Sequence, residues 1–117
     1  DALSVANTYV GMAVDLRSRR PVLTNVTGGL SGPAIKPLSL RCVHQVVAAV
    51  SVPVIGVGGI MTGEDALEYL LVGARAVQVG TVNLYDPDAG RRIVREIGAF
   101  LDAAGIEDVN AFVGTLR

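Results

Sequence analysis

Residues 53 to 81, PVIGVGGIMTGEDALEYLLVGARAVQVGT, admit few folds. Pro53 to Val57 is an apolar, β-branched run of the length expected for a strand buried on both faces, as in a parallel sheet, and it breaks at Gly58-Gly59. Thr62 is placed to cap the helix that follows, with Asp65 where a capping box usually carries Glu or Gln. Leu67, Leu70 and Leu71 form the apolar stripe of that helix, and Gly73 ends it just past the C-cap. Ala76 to Val79 is a second short buried strand, broken at Gly80-Thr81.

Two strands joined by a helix imply a right-handed βαβ unit with parallel strands, so their carboxyl ends lie side by side. Glycine at those ends lets a ligand approach the backbone and leaves N–H groups free to hold an anion. In a (β/α)8 barrel the loops after the last two strands are the usual phosphate site. One such glycine alone is a tight turn. Two pairs at the same ends of adjacent strands favour a phosphate site, without naming the owner of the phosphate.

A chain of 117 residues, half of them apolar and 14 of them glycine, suits an α/β protein with many βα turns. A formal net charge of −1 gives no electrostatic case for nucleic acid or an anionic membrane. The single cysteine precludes an internal disulfide, and no run approaches the roughly eighteen apolar residues of a membrane span. The expected location is the cytoplasm. A complete barrel takes about 250 residues. A chain of this length that opens on Asp1 without a methionine is therefore expected to be a fragment, with one structural unit and no second domain.

Taken in order, Ala2 to Ala6 reads as a short buried strand ending at Asn7-Thr8, where polar groups either face a ligand or cap a turn. Met12 to Leu16 and Pro21 to Asn25 flank RSRR as a β-hairpin with Arg17, Arg19 and Arg20 at its tip, read as a solvated loop in preference to a site for an acidic partner. TGGLSGPAIKP, residues 27 to 37, reads as a loop able to lie over a ligand, with Gly32 just before a helix N-terminus. It matches neither the dinucleotide fingerprint nor the P-loop. Pro37 opens a helix to about Val50 whose buried stripe is Leu38, Cys42, Val43, Val46, Val47 and Val50. Cys42 on that stripe reads as a structural thiol, and His44 as a surface residue without a catalytic role. Asp86-Pro87 reads as N-cap and first residue of the last long helix, with Ile93, Val94, Ile97, Phe100 and Leu101 on its apolar face and an end near Gly105. A final short helix and a loose tail follow from Ile106.

NTYVGMAVDL, TNVTGGLSGPAIKP, PVIGVGGI and AVQVGT, in this order and spacing, resemble the C-terminal part of a class 1 dihydroorotate dehydrogenase over nearly the whole chain, and the tail EDVNAFVGTLR is similar to that family's C-terminus. The resemblance implies an α/β fold of the TIM (β/α)8 barrel family, here a C-terminal fragment with about barrel strands 6 to 8 and their helices. It implies FMN as cofactor and the oxidation of dihydroorotate to orotate in pyrimidine (UMP) biosynthesis. By motif, Asn7 and Thr8 fall where the family contacts substrate, and Ala6 falls beside them at a flavin-contacting position where the family often carries a larger aliphatic residue. Gly32 matches a flavin-contacting glycine, and Gly58, Gly59, Gly80 and Thr81 match the FMN phosphate site. The hairpin and the GGLSGP loop look most like the NAD-linked class 1B catalytic subunit. That subgroup passes electrons to a partner subunit carrying FAD and an iron–sulfur cluster, and the full-length form is implied to be a homodimer or heterotetramer. A fumarate-using relative would need no such partner.

The sequence departs from the family in lacking the catalytic base, a Cys or Ser on an earlier loop, and the flavin-contacting lysine. Lys36, the only lysine, sits in the wrong motif to replace it. Two other readings stay open. One is a different FMN barrel acting on a pyrimidine, of the dihydropyrimidine or dihydrouridine reductase type. The other is a truncated, non-catalytic piece whose open strand edges favour self-association. The purified 117-residue chain is expected not to turn over dihydroorotate, and steady turnover in an orotate absorbance assay would overturn that expectation.

Overall fold

Local sequence chemistry sets the element order. In the computed structural model, which describes residues 1–117, the chain runs through β1 (Leu3–Val5), β2 (Tyr9–Met12), β3 (Val14–Asp15), β4 (Arg20–Pro21) and β5 (Thr27–Leu30). It continues through α1 (Lys36–Ala49), β6 (Val54–Val57), α2 (Gly63–Leu71), β7 (Ala76–Gln78) and α3 (Ala89–Ala104). β1, β6 and β7 form a parallel sheet in that order, with Val5 opposite Gly56 and Val57 opposite Gln78. The Val5–Ala6 peptide bond is cis.

α2 begins as its sequence predicts: the Thr62 hydroxyl accepts from the Asp65 N–H, the Asp65 carboxylate accepts from the Thr62 N–H, and the capping box is complete. Gly73 follows the helix at φ +108, where a Cβ would lie 2.7 Å from Val47 Cγ1, so only glycine suits this close approach. Val43, Val54, Ile60, Ala66, Tyr69, Ala74 and Ile93 form the core between the sheet and the helices. β6 carries Gly56 because the Tyr69 ring crosses it: a Cβ there would lie 2.5 Å from Tyr69 Cδ1. Packing a full tyrosine against bare backbone is what allows so short a strand to anchor a fully buried aromatic.

Several expectations need correction. β6 and β7 are covered on one face only; Ile55, Val57 and Val77 are half-buried, and Ala76 and Gln78 are exposed. The helices lie on the other side, and no second layer covers these residues. Residues 27–30 are a strand and not a loop: β5 pairs antiparallel with β2, Tyr9 opposite Leu30, while β3 and β4 make the arginine-tipped hairpin beyond them. Leu38 on α1 and Val50 just past its end are exposed, as are Val94 and Phe100 on α3, because only the sides of these helices that meet neighbouring elements are covered. α3 starts after Asp88, two residues later than the Asp86-Pro87 pair suggests, and the Asp88 side chain makes no capping bond; the Asp86 carboxylate instead accepts from the Asp88 N–H and from Arg92 at 2.9 Å. The tail is pinned, with the Gly114 and Leu116 N–H groups donating to the Leu70 and Leu71 carbonyls, and its one helical turn spans Val109–Ala111.

Lys36 reaches from the start of α1 to Asp65 at 2.6 Å and Glu68 at 3.0 Å on α2. Desolvation pushes the Asp65 carboxyl up, but the Lys36 ammonium and the Met61 and Thr62 N–H groups outweigh it and hold it below its usual value. Hydrogen bonding to Asp65 raises the Lys36 ammonium in turn. The Asp65 contribution is therefore present above the ordinary carboxyl value of 3.8 and lost as pH falls through the lower folded value. The Lys36 contribution is present below 10.5 and lost only at still higher pH. Asp65→Asn is expected to destabilise the protein at neutral pH by about 1 kcal/mol or more. The gap to the parent should close in acid, as read by urea unfolding across pH; a gap unchanged down to about pH 2 would contradict the assignment.

Candidate functional site

A cleft opens at the carboxyl ends of β1, β6 and β7. Its lining includes Ala6, Asn7 and Thr8 after β1, Ser31 and Gly32 after β5, Gly58, Gly59 and Met61 after β6, and Gln78, Gly80 and Thr81 at the end of β7. All eight residues singled out in the sequence, Ala6, Asn7, Thr8, Gly32, Gly58, Gly59, Gly80 and Thr81, meet here, although up to 75 positions separate them along the chain. At about 230 Å³ the cleft is smaller than the roughly 300–1,000 Å³ of a complete small-molecule pocket, so these residues furnish part of one.

The loop after β6 is built on left-handed backbone, with Gly58 at φ +134 and Gly59 at φ +71. Neither tolerates a side chain. A Cβ on Gly58 would overlap Ser39, and one on Gly59 would lie 2.8 Å from Gly32 O, Lys36 N and Lys36 Cβ. The GGLSGP segment therefore sits directly against the Gly58-Gly59 turn. On the far side it reaches the end of β7, where Thr81 Oγ1 donates to Ser31 Oγ at 2.9 Å. Opposite, Gly29 leaves room for Thr8, whose Oγ1 would be 2.5 Å from a Cβ at that position.

The free donors of the cleft lie in the loops that follow β6 and β7. At the start of α2, the Met61 and Thr62 N–H groups donate to Asp65, and that of Gly63 to Glu96 Oε2 at 2.5 Å. The N–H groups of Gly59, Ile60, Gly80 and Thr81 donate to no carbonyl or side chain. They stand at the ends of neighbouring parallel strands, which is the arrangement that holds an anion without a basic side chain.

Asn7 Oδ1 accepts from the Thr8 N–H at 2.8 Å, so the residue caps its own turn while it lines the cleft. Its amide nitrogen makes no bond within the protein and remains a donor for a ligand. Gln78 was not singled out by sequence reasoning; its signal was a polar residue inside the apolar run AVQV, and Ser4 Oγ holds its Oε1 at 2.6 Å. Ser31 and Met61 were missed as well, since no local pattern marks them. Lys36 and Asp65, the titratable pair nearest the cleft, are committed to each other. Cys42 lies outside the cleft, half-buried with Sγ 3.4 Å from Tyr9 Oη, and His44 is exposed on α1.

The family model described as dihydroorotate dehydrogenase matches residues 1–101. The catalytic subunit of dihydroorotate dehydrogenase B (NAD(+)) from Geobacter metallireducens is 61% identical over all 117 residues, and that of Geotalea uraniireducens 60% identical over 116. The chain spans 38% of the length of each. Among solved structures, the DHODH of Eimeria tenella in complex with ferulenol superposes with a TM-score of 0.81 at 36% identity, covering 98% of this chain and 31% of that one. The fold is therefore α/β of the TIM-barrel type, represented by three of its parallel strands.

The two glycine turns should respond differently to a side chain. Gly59→Val is expected to cost about 2 kcal/mol or more, from left-handed backbone and overlap with Lys36 and Gly32. Gly80→Ala, where a Cβ meets nothing within 4 Å, is expected to stay within about 1 kcal/mol of the parent in urea unfolding. Equal costs would show that the β6 loop is not packed as described.

Proposed function

The chain belongs to the dihydroorotate dehydrogenase family, and on that premise we propose that it supplies the phosphate cradle for FMN and part of the pyrimidine site of an enzyme oxidising dihydroorotate to orotate in pyrimidine biosynthesis. The observation that carries this reading is the convergence of unpartnered N–H groups from Gly59, Ile60, Gly80 and Thr81 with Asn7 and Thr8 on one cleft. The cradle fits a phosphate: it offers donors without a carboxylate among its lining residues, and a side chain on Gly59 would displace its wall. We further propose that residues 1–117 are the C-terminal part of the barrel, that the enzyme works in the cytoplasm, and that electrons leave through an FAD and iron–sulfur partner subunit to NAD. The partner reading rests on the names of the relatives, which are catalytic subunits.

Oxidation of dihydroorotate removes a proton from one ring carbon and a hydride from its neighbour; FMN, when bound, supplies the hydride acceptor. The residues of this chain bind and orient. The Asn7 amide donates to a ring carbonyl, and Thr8 offers a hydroxyl beside it. The glycine turns let phosphate approach the backbone and so fix where the cofactor ring lies relative to Asn7. Lys36 and Asp65 are not available as the base, because each neutralises the other.

Asn7→Ala in the protein expressed from its complete gene is expected to lower kcat/KM for dihydroorotate by about tenfold to a hundredfold with FMN content unchanged. Retained kcat/KM for dihydroorotate, or faster reduction of a dihydropyrimidine or dihydrouridine than oxidation of dihydroorotate, would favour a different FMN barrel.

A further inference from the structure

The Gly58-Gly59 turn has an anchor that the sequence motif does not include. Tyr69, on the buried face of α2, is fully buried, and its hydroxyl donates to the Gly58 carbonyl at 2.6 Å. The ring is held in place from below by Gly56, whose missing side chain makes the space it fills. Burial pushes the phenol up to about 12, so it remains protonated and a donor throughout the range in which proteins work. Ser39 Oγ is equally buried against Gly58 yet makes no hydrogen bond, which leaves Tyr69 as the only hydroxyl fixing that carbonyl.

The peptide bond between Gly58 and Gly59 is trans, and in a planar trans peptide the C=O and the following N–H point in opposite directions. A carbonyl drawn toward α2 therefore turns the Gly59 N–H away from the helix layer, toward the cleft. Two adjacent glycines at φ +134 and +71 have little intrinsic preference for this orientation over a flipped peptide, so something outside the loop has to choose it. We propose that Tyr69 is the positioning residue of the anion cradle: by holding the Gly58 carbonyl it aims the Gly59 N–H at the phosphate. The inference rests on the reading of the cleft as the FMN phosphate site. It adds to that reading a residue on the helix behind the loop, which touches neither cofactor nor substrate.

The test compares FMN with riboflavin, which carries the same ring system without the phosphate, by calorimetric titration of the apoprotein expressed from its complete gene. Tyr69→Phe keeps the ring over Gly56 and removes only the donor. It is expected to weaken FMN binding about tenfold and to leave riboflavin binding unchanged, so that the FMN-to-riboflavin ratio falls. A general loosening of the fold would lower both affinities alike. Ser39→Ala, which deletes a buried hydroxyl beside the same glycine and leaves the Tyr69 donor to Gly58 in place, is expected to keep the parent ratio.

The proposal is overturned if Tyr69→Phe lowers both affinities equally or neither, or if Ser39→Ala lowers the ratio as much as Tyr69→Phe does. If Tyr69→Phe fails to fold, difluorotyrosine at position 69 preserves the shape and strengthens the donor. The ratio should then rise, and an unchanged ratio overturns the proposal. A parent protein that binds riboflavin as tightly as FMN would remove the phosphate reading itself. Loss of the FMN preference in Gly59→Val, with none in Tyr69→Phe, would leave that reading standing and remove only the role of Tyr69.

Discussion

The Asp65 carboxylate joins the two halves of the cleft wall. One oxygen takes the Lys36 ammonium from the start of α1, and the other takes the Met61 and Thr62 N–H groups at the end of the glycine loop. A single half-buried side chain thus caps its own helix, ends the loop after β6 and fixes α1 relative to α2. Without it, two backbone donors would lose their partner and the Lys36 ammonium would keep only Glu68, which is costly at the edge of a low-dielectric core. It also explains why the lone lysine lies close to the cleft without entering it.

The same logic extends one layer out. Arg92 on α3 donates to Asp86 and Glu96 and to the Met61 carbonyl, while Glu96 accepts from the Gly63 N–H. The segment from Met61 to Gly63 is gripped by ionic groups from α2 and α3, and nearly all its polar backbone is satisfied within the protein. The glycines before it are gripped through packing and through the single Tyr69 hydrogen bond. Between these supports the loop leaves its Gly59 and Ile60 donors unspent. A preorganised anion site needs this division, since donors that must first break internal bonds bind weakly.

Much of this was legible in residue order. The capping box at Thr62 and Asp65, the C′ glycine at position 73 and the two strand–glycine junctions are short-range patterns, and short-range backbone chemistry produces them. α3 starts two residues past the Asp86-Pro87 signal: the Asp86 carboxylate holds the Asp88 N–H and Arg92 and does not cap the helix, and a local cap pattern does not report a partner six residues on. Val94 and Leu38 were placed in apolar stripes because periodicity reports which face of a helix is apolar, not how wide a strip its neighbours cover. The β2–β5 pairing was missed because a Gly-Gly segment carries no strand signal of its own; its partner strand supplies it.

The sequence by itself determined the local geometry of the site: which backbones had to be glycine, where each strand ended, and that polar and glycine residues would gather at those ends. The parallel βαβ arrangement follows from that order, because a helical crossover between two short strands leaves their carboxyl ends side by side. Tertiary structure alone decided what surrounds those ends. Gly59 is closed by Gly32 and Lys36, Thr81 by Ser31, and the Gly58 carbonyl by Tyr69, at sequence distances of 11 to 50 residues. Such contacts depend on the direction of a side chain after packing, and no periodicity or motif within either partner carries that information.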